Sequence, residues 1–399
     1  MKWIHPNTIV GSTAVGKKYF RRHKIEEKLW REIRKGNHIL LSAPRRLGKS
    51  SIMKYIAANP DAHYSCKYQN ISSDATAIDF YKRLFELLLI QLKSLQKARE
   101  RFRRWLQTKG VEEITATGVK IKEKDFDYKS NLLELLSKLK PADVHVVLML
   151  DEFPDVIKNI AAREGIAQAK DILHTLRSLR HDDSFKGHFT LVLAGSVGLD
   201  HIVKNVDRLS VINDLYEQTL EALDADEVDG FFEHLLQNAS MQVDEACRTY
   251  ILQRLQQALP YYIQLIIEGC NDILYADKRT QLTKEDIDRA WSLVLRNHKN
   301  FSDWDERLED YFPNDYPFFW EVLTYCAHHS SLSIQELYNL AIKTGQSTTY
   351  KAKIDDVLIK DGYLHQEGNI FTFISPLLQE WWKCRHPYIL QQKRSWTLT

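Results

Sequence analysis

The stretch HILLSAPRRLGKSSIM, residues 38–53, limits what this chain can fold into more than any other segment. Ile39-Leu40-Leu41 reads as a short buried strand, a loop follows, and Ile52, Met53 and Ile56 then recur at helical spacing until Asn59-Pro60 ends the pattern. A strand entering a helix through such a loop is the setting a phosphate loop requires. The loop N–H groups and the positive end of the helix converge there on one anion. Gly48, Lys49 and Ser50 close the pattern G-x-x-x-x-G-K-[ST], while Ala43 stands at its first position. Alanine is tolerable there if its backbone angle stays in the ordinary region, because that first glycine mainly helps the chain turn away from the strand. The nucleotide-holding candidates are Ala43, Pro44, Arg45, Arg46, Leu47, Gly48, Lys49, Ser50 and Ser51. Lys49 would reach the terminal phosphates and the Ser50 hydroxyl would take magnesium.

A phosphate loop usually works with a carboxylate at the end of a nearby apolar strand. Val144–Leu150 is a near-continuous apolar run ending in Asp151-Glu152. Asp151 is the candidate magnesium ligand and Glu152 the candidate acid that positions an attacking water. The same acidic pair also suits the cap of a following helix. Phe189–Ala194 is a further apolar run closed by Gly195-Ser196, and His63–Ile71 and Leu215–Leu220 add two more strands. Apolar strands separated by helices, such as the striped segment from Ala77 to Leu106, predict a parallel α/β sheet covered on both faces with ligands at its carboxyl edge.

The pattern changes after residue 221. Residues 222–298 read as all helical, with stripes at Val228–Leu236, Tyr250–Leu255, Ile263–Ile273 and Ile287–Leu295, and Asn297–Pro313 reads as a polar, acidic connector. A helix at Phe318–His328, a capping box at Ser333–Glu336, a helix at Thr348–Lys360 and a hairpin at Tyr363–Phe373 predict a winged helix. The predicted division is therefore 1–221 as the α/β domain, with 107–126 an insertion, 222–298 as a helical lid, 312–385 as a winged helix and 386–399 as a tail.

Composition narrows the function classes. The chain has 399 residues, 44% hydrophobic and 27% charged, as a folded protein of two or three domains has. Val144–Leu150 is far short of a membrane span and the N-terminus lacks a secretory apolar stretch, so a cytoplasmic protein with no membrane contact is expected. The five scattered cysteines form no C-x-x-C pair and are expected to be buried apolar side chains. Net charge is +2, yet residues 1–60 carry fourteen Lys and Arg against Glu26, Glu27 and Glu32. That asymmetry suits polyphosphate or DNA, and equally a basic amphipathic helix on a solvated face.

With these motifs in place a family resemblance becomes visible. "YFRRHKIEEKLWREIRKGNHILLSAPRRLGKSSIM" (Tyr19–Met53) resembles the opening of the archaeal-type ATPases of the STAND branch, related to AAA+ proteins. "LMLDEFPDVI" (Leu148–Ile157) resembles that family's Walker B, "LVLAGSVGL" (Leu191–Leu199) its sensor strand, "ALPYYIQLI" (Ala258–Ile266) its lid motif, and "YLHQEGNIFTFISPLLQEWW" (Tyr363–Trp382) its winged-helix ending. The lid motif has Ala258 where the family has glycine. The resemblance spans most of residues 19–385. It implies a P-loop NTPase parallel sheet of AAA+/STAND type, followed by a helical lid and a C-terminal winged helix, using ATP and Mg2+. It further implies that Phe20 and Arg22 lie near the adenine, Ser196 senses the terminal phosphate, Pro260 and Tyr261 reach the nucleotide from the lid, and Arg208 is an arginine finger. Three of these have plainer alternatives: Ser196 as a strand-ending turn, Tyr261, with Tyr262, as lid core, and Arg208 as a surface arginine.

The leading function is an ATP-driven switch, in signalling or defence, that changes how the winged helix meets a protein partner. A DNA-associated motor or loader and a non-hydrolysing nucleotide-dependent scaffold are the alternatives. Residues 312–399 hold eight Lys and Arg against eight Asp and Glu, and Lys351 and Lys353 sit beside Asp355 and Asp356, which favours protein over duplex as the winged-helix partner. DNA remains assigned to the basic N-terminal region, a homo-oligomer is also expected, and a minority of Phe371, Phe373, Trp381 and Trp382 is expected to be free for a partner.

Overall fold

A computed structural model describes residues 2–93, 102, 105–114, 119–121, 126–139, 144–195 and 199–387. Ser196, parts of the 107–126 insertion and the tail after residue 387 lie outside the described residues. The chain divides into two compact units, Thr13–Glu221 and a second made of Met1–Ser12 with Ala222–Thr399.

In the first unit, β1 (Ile39–Ser42) and β2 (Tyr64–Asn70) are followed by an antiparallel hairpin of β3 (Val111–Ile114) and β4 (Val119–Ile121). Then come β5 (His145–Asp151), β6 (Phe189–Gly195) and β7 (Tyr216–Thr219). All strands outside the hairpin form one sheet in the order β2-β5-β6-β1-β7, with every pairing parallel. Parallel neighbours need crossovers, and helices such as Lys49–Ala58, Ala77–Lys93 and Phe153–Glu164 supply them. Buried on both faces, β5 has Val146, Val147, Leu148, Met149 and Leu150 at most 1% exposed. Each such side chain contributes roughly 1.5–3 kcal/mol of burial energy. The register puts Asn70 opposite Asp151, Gly195 opposite Ser42 and Ser42 opposite Thr219, so the strands end along one edge.

The second unit begins earlier than the sequence reading placed it. Residues 2–12 are a strap on the helices after residue 222: Ser240 N–H donates to the Ile4 carbonyl at 2.8 Å, Asn7 N–H to the Leu235 carbonyl at 2.6 Å, and Ile9 N–H to Gln264 Oε1 at 2.8 Å. Trp3 Nε1 donates to Oδ1 of the fully buried Asn271 at 3.0 Å. The expected 1–221 boundary is thus corrected to Thr13–Glu221, because residues between 3 and 9 find their backbone and side-chain partners among the helices after residue 222, in the same unit.

Four helices, Ala225–Leu236, Glu245–Leu255, Pro260–Asp277 and Lys284–Arg296, make up the 222–298 region. The expected connector at 297–313 contains instead a helix, Ser302–Tyr311, whose Trp304 and Leu308 are buried behind the fully buried Phe301. Its polar residues lie on the outer face of an amphipathic helix. After it the order is helix Tyr316–His329, β8 (Leu332–Ser333), helix Ile334–Lys343, helix Tyr350–Lys353 continuing as a π-helix over Ile354–Ile359, then β9 (Leu364–Glu367) and β10 (Ile370–Phe373). The small sheet runs β8-β10-β9, and the Ser333–Glu336 capping box is present. The regions expected as separate lid and winged helix pack as one unit: Trp291 Nε1 donates to Glu380 Oε2 at 2.8 Å, and Phe301 stacks on Trp381 at 5.6 Å. Phe371, Phe373, Trp381 and Trp382 are all at most 3% exposed, so none is left for a partner. Four of the five cysteines are buried and Cys384 is exposed. Among the described residues, no helix is long and apolar enough to cross a membrane.

Histidines collect at the amino end of the main sheet. His38 Nδ1 accepts from Leu191 N–H at 2.9 Å, which it can do only unprotonated, and His145 Nε2 lies 2.8 Å from Thr190 Oγ1. Burial lowers both to about 4, with Arg180 adding to the effect at His38 and His188 at His145. The unfolded chain takes up these protons near pH 6.5 and the folded chain only near pH 4, so their contribution is complete above pH 6.5 and is lost as the pH falls towards 4. Stability is therefore expected to drop by up to about 2 kcal/mol per histidine between pH 7.5 and 5. Urea midpoints at the two pH values measure this. His38→Asn should flatten the dependence, and equal midpoints in the parent protein would refute the assignment.

Candidate functional site

Ser42 ends β1 and the chain turns at once. Positive φ occurs at Arg46 (67°) and Gly48 (94°), and Ala43 is not among the positive-φ residues. Glycine is thus needed at position 48 and dispensable at 43. Gly48 caps the helix Lys49–Ala58, its carbonyl accepting from Ile52 N–H at 3.0 Å. Lys49 is 7% exposed and its Nζ donates to the carbonyls of Ala43 at 2.7 Å and Pro44 at 3.4 Å, so the ammonium already lies inside the loop.

The carboxylate expected from the sequence stands beside it. Ser50 Oγ donates to Asp151 Oδ2 at 2.5 Å, across 101 residues of chain. Tyr68 Oη donates to the same oxygen at 2.9 Å, and Glu152 N–H donates to Oδ1 at 3.1 Å. Asp151 is 1% exposed; burial pushes its pKa above the usual carboxylate range, and the hydroxyls of Ser50 and Tyr68 pull in the other direction. Burial and the adjoining Asp151 raise the Tyr68 phenol.

Glu152 occupies the N-cap position of the helix Phe153–Glu164 with φ 59°, and its side chain makes no capping hydrogen bond. A left-handed glutamate at a cap it does not serve is a strained placement. Pro154 follows in the first turn, and Gly195 at the end of β6 lies against it: a Cβ on Gly195 would come 2.4 Å from Pro154 Cδ and Cγ. The close approach of β6 to the Asp151–Pro154 turn therefore requires glycine at 195.

The segment before the first helix packs on the loop helix. Tyr19 stacks on Tyr55 at 4.9 Å, with the Arg21 guanidinium 4.9 Å from the same ring. The buried Glu26 gathers this segment, accepting from Tyr19 Oη, Arg21 and the Arg22 N–H. Arg22 is buried and its Nη1 donates to the Glu221 carbonyl at 2.9 Å, and Phe20 is half-buried. Arg208 is exposed on a loop clipped at both ends to the helix Ile166–His181. Asp207 pairs with Lys170 and His174, while Arg180 makes two bonds to Asp214, at 2.6 and 2.9 Å, and one to the Val211 carbonyl. Pro260 opens a helix of the other unit, and Tyr261 is committed to that unit's interior, its hydroxyl 3.5 Å from the Asn300 carbonyl.

Sequence reasoning missed Tyr68, Glu26, Tyr55 and Gly195. Tyr68 lies on a strand in which every side chain is half-buried or more from Tyr64 to Gln69, and no motif marks it. The position of Gly195 directly after an apolar run was its one visible signal.

No protein-family model and no curated protein matches the sequence. Among solved structures, the Walker-type ATPase of Pyrococcus abyssi superposes with a TM-score of 0.59 at 15% identity, covering 93% of this chain and 98% of its own. The Aeropyrum pernix ORC2 protein, solved as ADPNP–ADP complexes, gives 0.51 at 12% identity, covering 91% and 93%. The chain has a Walker-type P-loop ATPase fold. In that fold the loop, Asp151 and Glu152 stand at the carboxyl edge of the sheet.

Because Gly195 sets the approach of Pro154, Gly195→Ala should push the Asp151–Pro154 turn off β6. The expected cost is about 1–3 kcal/mol of stability, as overpacking produces. Thermal unfolding measures it, and an unchanged melting temperature would show that Pro154 yields freely.

Proposed function

We propose that residues 13–221 bind ATP with magnesium on the Ala43–Ser51 loop and hydrolyse it, as an ATPase of the archaeal-type STAND branch of the AAA+ group. The observation that carries this reading is the 2.5 Å contact of Ser50 Oγ with Asp151 Oδ2, beside a lysine already enclosed by the loop. A hydroxyl and a carboxylate are all-oxygen donors of the kind magnesium takes, so the residues fit that ion. Magnesium, when bound there, supplies charge neutralisation for the phosphate oxygens. The chain's own groups do the rest. N–H groups at the start of the Lys49–Ala58 helix cradle phosphate, and Lys49 turns its ammonium from the Ala43 and Pro44 carbonyls to the terminal phosphates. Glu152, which serves no helix cap, accepts a proton from the attacking water. Phe20 and Arg22 flank the base from the segment held on the loop helix. The solved Aeropyrum pernix ORC2 complexes with ADPNP and ADP agree with a nucleotide ligand for this fold.

The output is proposed to pass through the 312–385 region to a protein partner. Lys343, Lys351, Lys353 and Lys360 are each paired with a carboxylate of their own unit, which counts against a dedicated duplex reader. The basic N-terminal region is reduced in the same way, since Arg21, Arg31 and Lys35 pair with Glu26 and Glu32, and Arg34 with Asp61. Arg208, exposed on its clipped loop, is the group offered to the nucleotide of a second copy.

Titration calorimetry and phosphate release test the reading. Lys49→Ala should weaken ATP binding by about 10- to 100-fold through loss of charge-assisted contacts. Glu152→Gln should retain binding and lose about 100-fold or more in turnover, and Ala43→Gly should change affinity by less than about threefold. No ATP binding by the parent protein would overturn the proposal. Binding without turnover would move it to the scaffold reading, and strong stimulation by duplex DNA to the motor reading.

A further inference from the structure

The Ser50–Asp151 pair is held by a third residue from a different strand. Tyr68 lies near the end of β2, two residues before Asn70, which is in register with Asp151. Its hydroxyl donates to Asp151 Oδ2, the oxygen that also accepts from Ser50. The Lys54 ammonium, one turn beyond Ser50 on the loop helix, lies 5.1 Å from the centre of the Tyr68 ring. Tyr68 thus lies beside the loop helix at Lys54 and holds the carboxylate through its hydroxyl.

We propose that Tyr68 is a positioning residue for the magnesium carboxylate: it fixes the rotation of Asp151 so that Oδ2 stays against Ser50. This rests on the nucleotide-binding reading above. Without the phenol, Oδ2 would keep only the Ser50 hydroxyl, itself a candidate magnesium ligand, and Oδ1 only the Glu152 N–H. The carboxylate would lose the one Oδ2 anchor that stays when Ser50 turns to a metal. Three bonds, two to Oδ2 and one to Oδ1, instead hold one orientation. Outer groups that orient a metal-binding carboxylate typically change metal affinity by about 10- to 100-fold when removed. Tyr68 meets the site through Asp151 and Ser50, the two candidate magnesium ligands, so its contribution is expected at the metal.

The test is the magnesium dependence of nucleotide binding to the full chain, followed with a fluorescent ATP analogue. In Tyr68→Phe, the Mg2+ concentration for half-maximal binding should rise by about 10-fold. Affinity in EDTA should stay within twofold of the parent. Lys54→Met keeps the hydroxyl and should move the Mg2+ midpoint by less than threefold. Tyr68→Leu, judged by the same ratio of midpoints, serves if the phenylalanine variant is poorly folded. An unchanged Mg2+ midpoint in a folded variant, or equal weakening with and without metal, would overturn the role of Tyr68. Absence of binding by the parent protein would instead remove the nucleotide reading on which it rests.

Discussion

Parallel strands align their ends only when crossovers return the chain to the same side, and the site depends on that alignment. β5 and β1 are not neighbours; β6 lies between them, in register with both. This spacing leaves room for the loop helix to bring Ser50 over the strand gap to Asp151. Were β5 shifted by one residue, its carboxylate would point to the opposite face of the sheet, away from Ser50.

The price of the register falls at the edge. Asp151 is almost fully enclosed, and three hydrogen bonds offset the desolvation of its carboxylate. Glu152 is turned into the left-handed region and Pro154 is pressed against Gly195, so the turn after β5 is shaped by contacts on both sides. Such a turn gives an acid a fixed direction. At the opposite edge, His38 and His145 are held neutral by burial, which ties the integrity of the sheet to pH without involving the site.

The second unit shows a different logic. Residues 2–12 and its last helices are far apart in the chain, yet all contribute to one packed body. Aromatic side chains make that body continuous, from Tyr262 through Phe301 to Trp381 and Trp382. A surface that sequence patterning assigned to a partner is consumed by this core, and the lysines of the neighbouring helix are paired locally.

Strand, loop and helix around Gly48, the acidic pair after β5 and the helical character beyond residue 221 were legible in the sequence, because each is a local pattern in which apolar spacing and one or two special residues suffice. The capping box at Ser333 belongs to the same class. The polar spacing at 297–313 misled, since an amphipathic helix with few apolar residues looks like a connector until Phe301 and Trp304 find a core. Tyr68 and Gly195 acquire their meaning only from neighbours in space: a hydroxyl on β2 meets a carboxylate on β5, and a missing side chain on β6 admits a proline ring. The strap at residues 2–12 is of the same kind, because its partners lie more than two hundred residues away. Local periodicity encodes which elements form, while close approach between elements distant in sequence depends on how each unit packs within itself, and that information exists only once the chain is folded.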